Sequence, residues 1–278
     1  TKTPPITENK YYKISFSENG SIKFIIDKEL NRELIDTDNQ YRANELVYTN
    51  DNHRTFFVPQ KAEFEVIETP YKITVVISSF EEHLGTEIKQ TVTLQENEKR
   101  IDIDNRLYHV KDMVNTNRYY RYIYFAFPFM VENSKRYCHL NGNVAEYAKT
   151  LTGHGTDVYM AVNEWCCAEN DKFGTALMMK DSQLVEFDRI HSDKTDFGNA
   201  GCGSQIFVYA ANDWLQMHTV GGSHLNYIFR FSITSYKGGY KAAKIPQMSE
   251  KYVNPVQCVK IKAQNGVWKE ASKSFFDV

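Results

Sequence analysis

The sequence predicts an all-β protein, a large antiparallel β-sandwich of two extended sheets. Three observations carry that prediction. Turn signals recur at short intervals between runs that alternate apolar and polar residues. The chain holds 18 Tyr and 17 Phe among 278 residues, with abundant Val, Ile and Thr, types that suit a pleated, half-buried surface. No stretch alternates strands with amphipathic helices, so parallel α/β folds are excluded. With 42% of residues hydrophobic, there is material for a substantial core.

Residues 1–12 read as a tether. A hairpin follows: Tyr11–Phe16, a turn at Glu18-Asn19-Gly20, then Ser21–Ile26. Asn-Gly between alternating runs is a strong hairpin signal because both residues tolerate positive φ. Phe64–Glu68 and Tyr71–Ser79 flank a Thr69-Pro70 turn, and Thr86–Leu94 and Arg100–Leu107 flank a polar one. In Arg100-Ile101-Asp102-Ile103-Asp104 one face is apolar and the other carboxylate. Tyr119–Val131 reads as one long aromatic strand in which Pro128 marks an edge or a bulge. Val158–Ala168, Gly174–Met179, Gln205–Ala211 and Asn226–Ser235 bring the series to roughly a dozen, too many for an immunoglobulin-sized sandwich. The one helical candidate is Asn143–Leu151, with Val144, Tyr147, Ala148 and Leu151 at helical spacing. Residues 13–245 therefore read as the sandwich domain. Residues 246–278 read as a linker and the start of a following small β module, two strands being too few for an independent unit. A chain that stops as a module begins reads as a segment of a longer protein.

A formal charge of −2 provides no electrostatic footprint for nucleic acid or an anionic membrane. No run of apolar residues is long enough to span a bilayer as a helix. Five cysteines, Cys138, Cys166, Cys167, Cys202 and Cys258, show no zinc spacing. The adjacent pair would point to opposite faces of a strand, which suits free thiols packed as small hydrophobes. Compartment stays open.

No nucleophile elbow, zinc-protease helix or phosphate loop is present. His154-Gly-Thr-Asp157 reads as a polar turn rather than a metal site. Asp102 and Asp104 would lie about 7 Å apart on one face, within reach of the acid pairs of inverting glycosidases; a solvated outer face explains them more simply. Trp165 reads as core. The candidate substrate-binding residues are Asp213, Trp214 and His218, where a strand runs into a loop that also holds His224 and Gly221-Gly222. Sugar sites place an aromatic face beside convergent polar groups.

Several stretches, in order, resemble the C-terminal half of glycoside hydrolase family 38, the zinc-dependent α-mannosidases. They are Ser21–Asp27; Ala43-Asn44-Glu45-Leu46-Val47-Tyr48; Arg100–Asn105; Tyr124–Phe129; Val162–Trp165; Asn212-Asp213-Trp214; Phe229–Ser232; and a tail of Asn254-Pro255-Val256 with Ser272–Val278. The resemblance implies a galactose-mutarotase-like supersandwich that serves as scaffold. It also implies a separate α/β domain holding zinc and the Asp nucleophile of a retaining mechanism, with a helical bundle between them. The His-x-His-x-Asp pattern of that zinc site is absent from this sequence, so no metal or cofactor is expected in this chain and zinc is expected elsewhere in the parent. Where some members present an Arg to the sugar, this chain reads Lys180-Asp181-Ser182, with Arg189 further on, and no cleft contact is carried over. The partners implied are a mannoside-type carbohydrate and the parent's own catalytic and helical domains. The rival expectation is a free-standing carbohydrate-binding or mutarotase-like domain, in which His218 and Asp213 would converge.

Overall fold

The computed structural model describes residues 2–49, 55–110, 122–147, 149, 159–190, 203–212 and 225–257. Among these, nearly every element is an antiparallel strand, as the alternation and turn chemistry predict. One layer is a nine-stranded sheet. Its strands, in spatial order, are β12 (Asn143–Glu146), β11 (Lys135–Leu140), β14 (Trp165–Glu169), β15 (Phe173–Met179), β18 (Leu225–Lys237), β9 (Ile101–Val110), β8 (Thr86–Gln95), β7 (Lys72–Glu81) and β6 (Ala62–Thr69).

The opposite layer is in two pieces. A five-stranded sheet runs β13 (Tyr159–Ala161), β16 (Leu184–Phe187), β17 (Ile206–Asn212), β10 (Tyr122–Phe127), β5 (Glu45–Thr49). A four-stranded sheet runs β1 (Ile6–Glu8), β2 (Tyr12–Phe16), β3 (Ile22–Asp27), β4 (Arg32–Glu33). Isolated bridges Ile22↔Ala43 and Ile35↔Phe129 stitch the two pieces edge to edge. One continuous apolar cluster fills the space between layers, with Phe125 and Phe127 of β10 packed edge-on against Phe231 of β18. β10 is buried on both faces, since Tyr122, Tyr124 and Ala126 lie in a separate outer cluster with Tyr41, Phe207 and Tyr209.

Polar groups also bridge the layers. Asn44, with φ of 55°, exchanges two side-chain hydrogen bonds with Asn105, of 2.9 and 2.8 Å, and both amides are buried. The neighbouring Glu45 carboxylate accepts from Asn19 Nδ2 at 2.5 Å and from the Arg42 backbone N–H at 2.9 Å. Burial pushes the Glu45 pKa up despite those donors. Asp27, fully buried, takes the Lys99 ammonium at 2.8 Å and the Ser235 hydroxyl at 2.5 Å on one oxygen. Its other oxygen accepts from the backbone N–H of Glu29 and Leu30. These contacts pin the four-stranded sheet to β9 and β18.

Five expectations change. The stretch read as a tether supplies β1, which pairs with β2. Asn143–Leu151 does not begin a helix: Asn141 and Gly142 both take positive φ, the geometry of a tight hairpin turn, and β12 pairs back on β11. The stretch Val158–Ala168 is two strands in different layers, β13 and β14. Pro128 ends β10 rather than interrupting it, and its carbonyl accepts from Asp36 N–H. Ile245–Val253, read largely as linker, is helix α1 with a proline in its first turn. Its Ile245 and Tyr252 pack with Trp165, Cys167 and Met178 on the outer face of the nine-stranded sheet. Cys166 lies in the inner cluster and Cys167 under the helix, on opposite faces, and Cys138, Cys166 and Cys167 are free, buried thiols. Among the described residues no helix is long and apolar enough to cross a membrane.

Candidate functional site

The elements leading to the sequence-predicted site converge on one end of the sandwich. Tyr122, at the start of β10, pairs with Thr49 at the end of β5 and Asn212 at the end of β17. Asp213 follows directly; Asp213, Trp214 and His218 lie outside the described residues, as do His154, Asp157 and His224. At the same end β9 and β18 meet at Val110 and Leu225, with a register shift between Leu225 and Tyr227. His109 there takes φ of 56°, and its N–H donates to the Asn226 side chain. Such bulges re-aim side chains at the rims of sheets.

The turn from β7 to β8 supplies a polar pair that sequence reasoning missed. Glu81 is 2% exposed; one of its oxygens lies 3.2 Å from His83 Nδ1 and the other accepts from the Leu84 backbone N–H. The half-exposed His83 ring stacks on Phe57, with centroids 3.7 Å apart and planes 23° from parallel. Phe57 is in turn bridged to Tyr48 of the opposite layer, so the pair sits where the layers meet at this end. A buried carboxylate bonded to one ring nitrogen fixes the orientation of the imidazole. The arrangement can position a donor or exchange a proton. The only signal in the sequence was a Glu-x-His in a turn.

Other candidates resolve into structure. Trp165 is 1% exposed and packs on Tyr240 and beside His139, so it is core. Asp102 is tied to Ser232 and Arg100, and Asp104 to Arg106, on the face partly covered by α1. These carboxylates are occupied by neighbours and do not form an acid pair. Lys180-Asp181 forms a clasp: Asp181 holds the Arg230 guanidinium through bonds of 2.8 and 2.7 Å, and the Lys180 ammonium sits 4.5 Å from the Tyr252 ring centroid. Among the described residues no group of three or more His, Cys, Asp or Glu side chains is placed to hold a metal ion. Glu81 and His83 provide two donors, fewer than a zinc site needs, so the described residues do not fit that ion.

The described strands define a two-layer antiparallel β-sandwich, and comparison with known proteins gives it a family. The family described as glycosyl hydrolases family 38 C-terminal domain matches residues 7–186, more than half of the chain, and the chain belongs to it. The fold is similar to that of an α-mannosidase from Enterococcus faecalis V583, with a TM-score of 0.64 and 15% identity over 90% of this chain and 31% of that one. A family 38 glycosyl hydrolase protein from Enterococcus faecalis is similar at a TM-score of 0.62 and 15% identity, over 90% of this chain and 32% of that one. A galactose mutarotase related enzyme from Lactobacillus acidophilus is similar at a TM-score of 0.44 and 12% identity, over 84% of this chain and 97% of that one. This chain thus spans about a third of the length of the family 38 structures it matches. No curated protein matches it by sequence.

Proposed function

We propose that this chain is the non-catalytic β-sandwich segment of an α-mannosidase-like glycoside hydrolase. In this reading it scaffolds a zinc-dependent catalytic domain located elsewhere in the parent and contributes a rim to the carbohydrate cleft. The observation that carries the reading is the family match over residues 7–186, joined to a fold that corresponds to 31% of an α-mannosidase. The rim is the end where β17 leads into Asp213, Trp214 and His218, beside the Glu81–His83 pair. The parent would supply the nucleophile and zinc, the metal acting on sugar hydroxyls as an orienting Lewis acid. The sandwich would then add binding energy and shape at the cleft's edge.

Kinetics of aryl α-mannoside and mannobiose hydrolysis by the parent test the rim. Asp213→Ala, Trp214→Ala and His218→Ala should each raise KM several-fold, more for the disaccharide than for the aryl glycoside, because a rim contacts the substrate beyond the scissile bond. Unchanged kcat and KM in all three variants would remove the rim from the reading.

One observation favours a second reading, a free-standing mutarotase-like domain: a histidine hydrogen-bonded to a buried carboxylate in the β7–β8 turn. Such a domain would accelerate the polarimetric interconversion of α- and β-aldoses, and His83→Ala would abolish the acceleration. Interconversion at the buffer rate would dismiss it.

A further inference from the structure

A polar cleft of about 590 Å³ lies at the other end of β18, around the turn that joins β14 to β15. The two ends are far apart: the rim begins near Leu225 and the cleft lies by Phe173, which pairs with Lys237. At strand rise this separation is about 40 Å. The volume is that of a small-ligand site and is ample for one or two pyranose rings.

Three features make this a built site rather than a surface dent. First, the Arg32 guanidinium lies over the Phe173 ring, 3.6 Å from its centroid, a contact that holds the fork in place. Its Nε is buried and has no hydrogen-bond partner in the protein. Second, Glu169, 8% exposed, receives the Tyr236 hydroxyl at 2.8 Å and the Tyr240 backbone N–H at 2.7 Å, both on Oε2. Oε1 faces Gly239, where an added Cβ would stand 3.4 Å away, so the glycine leaves that oxygen uncovered. Third, the rim is held rigid by an Asn170 side chain that accepts from the N–H groups of Lys172 and Phe173 and donates to the Glu132 carbonyl. Tyr137 adds an aromatic wall, its ring packed 5.0 Å from Tyr240, and Lys135 stands at the mouth.

We propose that this cleft binds a neutral saccharide of one or two rings. A buried donor without a partner and a carboxylate oxygen without a donor each carry a desolvation cost that a ligand hydroxyl, both donor and acceptor, removes. Formal charges on the lining balance, with Arg32, Lys135 and Lys172 against Glu132, Glu169 and Asp171, which favours a neutral ligand over an anion. The aromatic wall suits the apolar face of a pyranose. A preorganised rim limits the entropy lost on binding. This inference does not depend on the parent's activity, because it involves none of the residues proposed for the rim.

The test is ligand-observed NMR and calorimetry on the 278-residue chain, with methyl α-mannoside, α-mannobiose and maltose as probes and inorganic phosphate as the anion arm. The expected result is millimolar binding of at least one sugar. Glu169→Gln, which keeps the two bonds on Oε2 but turns the cleft-facing oxygen into a donor, should weaken it about tenfold, as should Arg32→Met. Tyr71→Ala, an exposed side chain that does not line the cleft, should leave it unchanged. If Arg32→Met does not fold, Tyr137→Ala and Glu169→Gln decide the outcome. Binding of phosphate alone, binding that persists in the cleft variants, or no saturable sugar binding by about 50 mM, weaker than one good hydrogen-bonded site provides, would each overturn the proposal.

Discussion

Replacing Asp27 by Asn should be among the most destabilising isosteric changes in this domain, and its cost can be worked from its contacts. The carboxylate is fully buried and receives four hydrogen bonds, from Lys99, Ser235 and the N–H groups of Glu29 and Leu30. Burial pushes its pKa up, but the Lys99 and Ser235 bonds outweigh that and hold it below the usual carboxylate range. Asn retains an oxygen for the two backbone donors but turns an amide towards the ammonium and the hydroxyl. Removing one partner of a buried pair costs about 3–5 kcal/mol. Lys99 is 18% exposed and also touches Glu29 at 2.9 Å, so it can relax, and the lower end, about 3 kcal/mol, applies. For a chain of this size that lowers Tm by roughly 6–12 °C. The sign with pH follows from the depressed folded pKa: the contribution is complete above the unfolded value, about 3.9, and disappears as pH falls through the folded value. Lys99 is the mirror case. Burial alone would lower its pKa, but Asp27 and Glu29 raise it, so its share is present below the unfolded value and lost as pH rises through the folded one. Calorimetry of wild type and Asp27→Asn should therefore show a wide gap at neutral pH that closes below about pH 4. A gap under about 0.5 kcal/mol at pH 7, the range of ordinary surface changes, would refute the reasoning.

Three further outcomes follow from the packing. Gly174→Ala places a Cβ 2.5 Å from the Tyr236 ring and 2.7 Å from Glu169 Cβ, and should cost about 1–3 kcal/mol in urea denaturation as Tyr236 is displaced. Asn105→Ala strands the Asn44 amide, which should cost about 1–3 kcal/mol, and a double-mutant cycle with Asn44→Gly should recover a coupling of at least about 0.5 kcal/mol; additivity would mean that the reciprocal bonds contribute nothing. Cys138, Cys166 and Cys167 are buried, and burial raises the pKa of the Cys166 and Cys167 thiols. Peptide mapping after native alkylation should find all three unmodified, with labelling only in denaturant.

Local chemistry made most of the fold legible. The Asn19-Gly20 and Thr69-Pro70 turns and the Ile101–Asp104 alternation each forecast a hairpin or a face, and β2, β3 and β6 to β9 formed where those signals lay. The failures were places where two local signals competed. Helical spacing at Val144, Tyr147 and Leu151 lost to the Asn141-Gly142 turn, and the stretch from residue 246 read as a linker while Ile245–Val253 packed as α1. The single run Val158–Ala168 hid a crossing between layers, because both halves are equally apolar. Functional pairs were legible only when close in sequence. Asn44 and Asn105 are 61 positions apart, Asp27 and Ser235 are 208 apart, and the cleft joins β4 to the β14–β15 turn. No periodicity reports such encounters; only the closed sheets bring them together.

The most direct test of the central claim is an assay of the chain by itself on aryl α-mannosides with zinc present. A non-catalytic sandwich segment predicts release of the aryl group at the rate of zinc-containing buffer, whatever the concentration of folded chain. Turnover proportional to that concentration, and abolished by His83→Ala or by substitution at Asp213 or His218, would show that the sandwich carries its own active site and would contradict the account.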